Sequence, residues 1–401
     1  MTRNYFSTSS DARAIDAPPV SLVLRGATLS SGRVVDVSIA GGLISAIVDH
    51  GSPVNVFVDT EDLTGYLLLP SFVEPHVHLD KALTADVVSN ASGSLDGAIT
   101  SWLAARGTFS SDDIAARAWS VIATYLANGT TAIRAHVDTG EGIGLKSFDA
   151  VHSLRSALKG IVDLQIVALC SRPVTGREGA NNRALLQEAL ANGADLVGGA
   201  PALDQDPHAA VDVLTDIAAR AGVGLDLHVD ETIDPSVRSL DRLIDVARVG
   251  FPHAITASHA VSLGQQSRVR QREVASQLAL HEISVVTLPQ TNLYLQGRGL
   301  AGPAPRGLTA VRELLTGGVT VAAAHARLDH GGKRLTGPTR CISIGHRLCG
   351  GQRRLVLTFA QRENRKSEIG EVNDSLSMKG CAALPQFSRL NRGLSVPLPG
   401  E

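Results

Sequence analysis

The chain has 401 residues, of which 44% are apolar, 19% charged and 3% aromatic, and its formal net charge is −2. This is the composition of a globular, enzyme-sized protein with one large core or two domains, and it lacks the basic surplus that nucleic acid or an anionic membrane would call for. No run approaches the ~18 apolar residues that span a bilayer, residues 1–19 lack the apolar stretch of a secretion signal, and four cysteines are too few for a disulfide framework, so a cytoplasmic protein is expected.

Residues 1–64 read as a small β-domain, with short alternating strands at 21–24, 34–39, 43–48 and 54–58 separated by glycine turns. Eight apolar runs follow, at 66–69, 131–137, 164–169, 195–197, 224–228, 254–257, 284–288 and 319–323, and each suits a buried parallel strand. Helix patterns with physical start and stop signals lie between them. Asp206 stands as N-cap before Pro207, Gly222 ends the pattern, and Ala210, Val211, Leu214, Ile217, Ala218 and Ala221 form one apolar stripe. Asp234-Pro235 repeats the start signal before a helix over 236–249, while Asn128-Gly129 and Asn192-Gly193 end two others.

Eight β-then-α units over 65–324 predict an α/β fold, a (β/α)8 TIM barrel with a small β-sandwich domain over 1–64. An open doubly wound sheet is the rival, but no glycine-rich phosphate turn follows the first strand. From about residue 325 the chain changes character. Residues 325–401 hold 13 Lys/Arg against 6 Asp/Glu and three of the four cysteines, with little periodicity, and read as an atypical basic tail whose composition permits disorder.

A barrel of this kind works at the C-terminal ends of its strands, and here those ends are polar. The first strand runs into His76-Val77-His78-Leu79-Asp80, the second into His136 and Asp138, the fifth into His228-Val229-Asp230-Glu231 and the sixth into Ser258-His259. His76 and His78 share one face of an extended segment and can grip one cation. Alone, such a tripeptide is more often a strand-end coincidence. Further imidazoles ending the fifth and sixth strands make a divalent transition-metal site the better reading.

These motifs, with residues 69–81, Arg134-Ala135-His136-Val137-Asp138, 163–168, 193–198, Thr256-Ala257-Ser258-His259 and 292–298, resemble the amidohydrolase superfamily. The resemblance is to its cytosine deaminase branch and the relatives acting on hydroxytriazines and other cyclic ureides, and it covers 66–324 plus the small β-domain. It implies that His76, His78 and His228 bind one divalent metal ion, Fe2+ or Zn2+, which acidifies a bound water into a nucleophile. Glu231 would protonate the ring nitrogen beside the attacked carbon, and His259 would orient the nucleophile or stabilise the charge that develops. Plainer roles stand beside these: Glu231 as a charge at the start of the following helix, His259 as a satisfied strand-end histidine. His136 and Asp138 read as support that fixes geometry, and Lys81 as a solvated loop charge or salt-bridge partner. Asn292, Gln296 and Arg298 fall after the seventh strand, where the resemblance implies a substrate-facing or oligomer-facing segment.

Two departures from the family pattern bear on activity. Where the bacterial cytosine deaminases carry a glutamine that reads the pyrimidine edge, this chain has Cys170-Ser171-Arg172-Pro173. A hydroxyl from Ser171 or a cationic fork from Arg172 would read a different edge, one rich in carbonyl groups. The superfamily also places a metal-ligating aspartate after the eighth strand, and Ala326 stands at that position; Asp329 and His330 lack the expected spacing. Residues from about 325 are therefore expected not to be the family's native ending, and an alternative reading frame or a fused tail would explain them.

The expected function is deamination of cytosine or a related cyclic amidine or ureide, with a small nitrogen heterocycle as partner and neither nucleic acid nor membrane. The alternatives are an N-substituted amide or ureide hydrolase and a catalytically impaired relative lacking the strand-eight aspartate. The resemblance allows a homo-oligomer, on which the residues themselves are silent.

Overall fold

The computed structural model describes residues 20–53, 58–297, 300, 307–324 and 358–361. The described residues divide into two compact units, one formed by residues 20–71 with 358–361 and the other by residues 72–324. Within the first unit, β1 (Val20–Leu29), β2 (Val34–Ala40), β3 (Leu43–Asp49), β4 (Asp59–Asp62) and β5 (Tyr66–Leu69) belong to one six-stranded sheet. Leu24, Ala27, Val35, Val37, Ile39, Leu63 and Leu68 bury its apolar core. Of the strand expected at 54–58, residues 54–57 lie outside the described residues, and β4 begins at Asp59.

The second unit holds eight parallel strands in sequential order, the barrel expected: β6 (Phe72–Val77), β7 (Thr130–Thr139), β8 (Asp163–Cys170), β9 (Leu196–Gly198), β10 (Gly224–Val229), β11 (Ile255–His259), β12 (Ser284–Thr287) and β13 (Val321–Ala323). The last described strand, β14 (Thr358–Gln361), pairs antiparallel with β5 in the first sheet. The run at 66–69 is thus not the first barrel strand. It pairs with β1 and β14 instead, and after Pro70, which has no N–H to offer a ladder, the barrel opens at Phe72, whose N–H donates to the Gly129 carbonyl at 2.9 Å.

Strand alternation sorts the barrel into an apolar outside and a polar inside. In β10, Leu225, Leu227 and Val229 join the large core with helix residues such as Ile114, Val211 and Leu214, whereas Asp226 and His228 are buried but take no part in that apolar cluster. In β7 the same division puts Ile133, Ala135 and Val137 in the core and leaves Arg134, His136 and Asp138 as the buried polar set.

Helix signals held where a local cap carries them. Asp206 accepts from Ala209 N–H at 3.0 Å, the helix Pro207–Ala221 follows, and Gly222 closes it in the left-handed conformation. The helix expected at 236–249 starts later, at Ser239–Arg248. Asp234 turns back on its own loop through Ser236 N–H at 2.8 Å, and the helix start is served from β10's end by Asp230, which accepts from Ser239 and Leu240 N–H. Among the described residues, no helix is long and apolar enough to cross a membrane.

Candidate active site

Five imidazoles meet at the C-terminal ends of β6, β7, β10 and β11. His76 and His136 stack at 3.8 Å between centroids, His76 and His228 lie 4.6 Å apart, and His228 and His259 5.0 Å apart. All five are buried. Burial, reinforced by the proximity of other positive sites, holds His76, His78 and His228 well below the usual imidazole range. Burial likewise lowers His136, against the pull of Asp226, and takes His259 down to about 4. The cluster therefore carries neutral imidazoles near pH 7, the form that binds metal ions.

The ring nitrogens have the character of donors without a partner. His76 Nε2, His228 Nδ1, His259 Nε2 and both nitrogens of His136 are buried without a hydrogen bond. The donor atoms of His76, His136 and His228 all lie within 4.8 Å of one another. His78 Nδ1 lies 3.1 Å from the His136 carbonyl, to which it can only donate, so its Nε2 carries a lone pair, and that atom lies 3.1 Å from His228 Nε2. A 3.1 Å spacing suits an N–H···N hydrogen bond from His228 to His78, and it suits equally two lone pairs turned on one cation. Tetrahedral ligands at ~2.0–2.1 Å from one ion stand roughly 3.3 Å apart, so the donor set fits a divalent metal.

Beside the imidazoles stands Glu231, just past β10. Burial pushes its carboxyl up to about 8, against the opposing influence of Asn292 and Lys81, so it is protonated at neutral pH. Asn292 Nδ2 donates to Glu231 Oε1 at 2.9 Å, and His259 Nδ1 lies 3.2 Å from the same oxygen. Asp230, His259 and Ala260 hold left-handed backbone at φ 48°, 72° and 45°, a conformation that costs non-glycine residues energy and clusters where function requires it. Glu231, His228, His259 and His78 line one cavity with Lys81, Asp138 and Ser171, and its remaining wall is largely apolar, including Val88, Leu95, Ile99, Trp102 and Leu103.

No protein-family model matches the chain. It is 32% identical over 333 residues to the pterin deaminase of Rhizobium rhizogenes, covering 81% of this chain and 75% of that one. Among solved structures, 5-methylcytosine deaminase from Klebsiella pneumoniae aligns with a TM-score of 0.70 at 31% identity, covering 77% of this chain and 76% of that one. N-isopropylammelide isopropylaminohydrolase from Burkholderia multivorans aligns with a TM-score of 0.64 at 32% identity, covering 78% and 76%. The chain belongs to the amidohydrolase superfamily.

In this amidohydrolase the expected ligands His76, His78 and His228 converge with the expected catalytic residues Glu231 and His259. His136, read from the sequence as support, stands inside the imidazole cluster. Asn292 and Gln296 both touch Glu231, the first at its carboxylate and the second through Gln296 Nε2 to its backbone carbonyl at 3.0 Å. Ser171 faces the cavity, but its Oγ already accepts from Arg106 Nη1 at 2.9 Å. Arg298, Ala326, Asp329, His330 and the tail 325–357 and 362–401 lie outside the described residues.

Two polar residues, Trp102 and Arg106, escaped the sequence reading. Lys81 takes the second of its two expected roles, that of salt-bridge partner: its ammonium sits 2.7 Å from Asp138 Oδ1 on the cavity wall. Asp138 also accepts from Trp102 Nε1 at 2.7 Å and lies 3.4 Å from Arg106 Nη1. Burial alone would raise Asp138, but these partners hold it below the ordinary range. Burial pushes Asp80, whose Oδ2 accepts from Asp138 N–H at 3.0 Å, up to about 6. Trp102 and Arg106 sit after β6 in a segment with no motif to announce them.

Proposed function

We propose that this amidohydrolase hydrolyses the exocyclic C–N bond of an amino-substituted oxo-heterocycle of the cytosine or pterin type, releasing ammonia and leaving a carbonyl. The observation that carries the reading is Glu231, a neutral carboxyl beside the imidazole cluster and open to the cavity. His76, His78 and His228 are the residues proposed to hold the ion, Fe2+ or Zn2+. His136 is the weaker candidate because its ring stacks on His76, and the in-plane lone pairs of two stacked rings do not converge on one point. Bound there, a divalent ion supplies the Lewis acidity that makes water a competent nucleophile near neutral pH.

The chain's own residues do the rest. Glu231 gives its proton to the ring nitrogen next to the amino-bearing carbon, which makes that carbon electrophilic; the carboxylate then takes one proton from the incoming water and passes it to the leaving amine, and as ammonia departs it takes the remaining hydroxyl proton, which leaves the carbonyl and restores the neutral Glu231. Asn292 keeps Oε1 aimed by its 2.9 Å bond. His259, neutral with an unpaired Nε2, accepts a hydrogen bond from the water and orients its attack. Lys81 keeps N–H donors beyond the one directed at Asp138 and faces the cavity, so it suits a carbonyl acceptor on the substrate.

A second reading has one observation in its favour. The apolar wall of Val88, Leu95, Ile99 and Leu103 would suit an N-alkyl substituent, with an amine rather than ammonia leaving. Product analysis on cytosine, pterin and N-isopropylammelide separates the two: ammonia from either of the first supports deamination, and isopropylamine alone supports the second reading.

A further inference from the structure

Beneath the imidazoles lies a buried polar layer that the mechanism above does not use. Asp226 on β10 pairs through Oδ2 with Arg134 Nη1 on β7 at 2.6 Å, and Arg134 reaches Gln165 on β8 at 2.7 Å and Thr256 on β11 at 3.1 Å. Through its other oxygen, Asp226 accepts from Ser258 Oγ on β11 at 2.7 Å, and Ser258 Oγ lies 2.9 Å from His76 Nδ1 on β6. Asp226, Ser258 and His76 are each 0% exposed.

The direction of this chain of bonds follows from donor chemistry. An ionised carboxylate paired with arginine can only accept, so the Ser258 hydroxyl must give its proton to Asp226. Its oxygen is then left to accept, and the hydrogen of that second bond must sit on His76 Nδ1. A neutral imidazole has one N–H, so His76 Nε2 carries the lone pair. That nitrogen is the one found buried without a partner. His78 reaches the same protonation pattern through a backbone carbonyl, which no side-chain substitution removes, whereas His76 depends on two side chains.

We propose that Asp226 and Ser258 are positioning residues that lock His76 in its Nδ1–H tautomer and so aim Nε2 as a metal ligand. The lock rests on the bonds from His76 to Ser258 and from Ser258 to Asp226, whose carboxylate is paired with Arg134 and has His136 Nε2 at 3.6 Å from Oδ1; the ligand role rests on the proposed metal site. Arg134 fixes the carboxylate from behind, and the relay spans three strands, so His76 is oriented before any ion arrives. Removal of such an outer hydrogen-bond partner lowers metal affinity by about 10- to 100-fold.

The test uses the full chain with Ser258→Ala, which leaves the Arg134–Asp226 pair intact, and Ser258→Thr, which keeps the hydroxyl. Long-range 1H–15N spectra of the metal-free protein read the His76 tautomer, and competition with a chromophoric chelator reads the zinc affinity. We expect Nδ1–H in the wild type, loss of that preference in Ser258→Ala together with about 10- to 100-fold weaker zinc binding, and recovery of both in Ser258→Thr. In a His76→Ala background, Ser258→Ala should cost no further affinity, because residues acting through one another are not additive. The inference is overturned if wild-type His76 carries Nε2–H, if Ser258→Ala binds zinc as tightly as wild type, or if its metal-free form has lost its fold. A wild type that shows Nδ1–H yet takes up no zinc would sink the metal reading and leave the tautomer lock standing.

Discussion

Replacing Glu231 with glutamine should make the metal-free barrel more stable, and by an amount that depends on pH. In the folded chain burial lifts the Glu231 carboxyl from 4.5 to about 8. An unfolded glutamate releases its proton above about 4.5, whereas the folded one keeps it until about 8, so across that window the native state binds one more proton. Raising the pH therefore favours unfolding. At about 1.36 kcal/mol for each pKa unit, the accumulated penalty is roughly 5 kcal/mol once the pH passes about 8 and near zero below about 4.5. Glutamine has the same shape, accepts the same Asn292 bond and does not titrate.

Urea unfolding followed by tryptophan fluorescence suits the measurement, because Trp102 and Trp119 are the chain's two tryptophans and both lie in the barrel unit. The stability advantage of Glu231→Gln over wild type should grow steadily from about pH 5 to pH 8 and then level off; the imidazoles titrate in both proteins and cancel in the difference. Parallel pH profiles would refute the raised carboxyl, and with it the proton that the mechanism assigns to Glu231. In the metal-loaded enzyme the same substitution should lower kcat by about 10²- to 10⁴-fold.

Asp138→Asn should destabilise the fold by about 3–5 kcal/mol, since it leaves the buried Arg106 and the half-buried Lys81 without their counter-charge; equal unfolding midpoints for the two proteins would contradict the network. Lys81→Met should lower kcat/KM for an oxo-heterocycle by about 10- to 100-fold, the worth of a charged hydrogen bond, with the loss chiefly in KM; an unchanged KM would remove Lys81 from the substrate. Ala326→Asp, which restores the carboxylate that the family resemblance places there, should raise kcat by about 10²-fold, and an unaltered rate would show that three imidazoles suffice.

The barrel was legible because its period-2 and period-3.6 patterns are strong and because caps such as Asp206 act within a few residues of themselves. The first barrel strand was misplaced because Tyr66–Leu69 is apolar enough to serve either sheet, and what decides between them is pairing with β1 and β14, a long-range matter. The late start of the Ser239 helix has the same origin: its N–H groups are satisfied by Asp230 from nine residues upstream, not by the local Asp234. Within the site, histidines and carboxylates at strand ends declare themselves. Asp226 could have been found too, since it sits two residues before His228 and therefore on the same face of β10. Trp102 and Arg106 carry no such mark; only the fold brings them to Asp138, more than 30 residues away along the chain.

The central claim is that an imidazole-held metal ion and a neutral Glu231 together cleave an amino-heterocycle. It is tested most directly by loading the protein with Zn2+ or Fe2+, confirming uptake, and measuring ammonia release from pterin, cytosine and 5-methylcytosine before and after chelation. The account predicts release from at least one of the three that stops on chelation and returns when the metal is restored. Stoichiometric metal with no ammonia from any of them, or release that survives chelation, would contradict it.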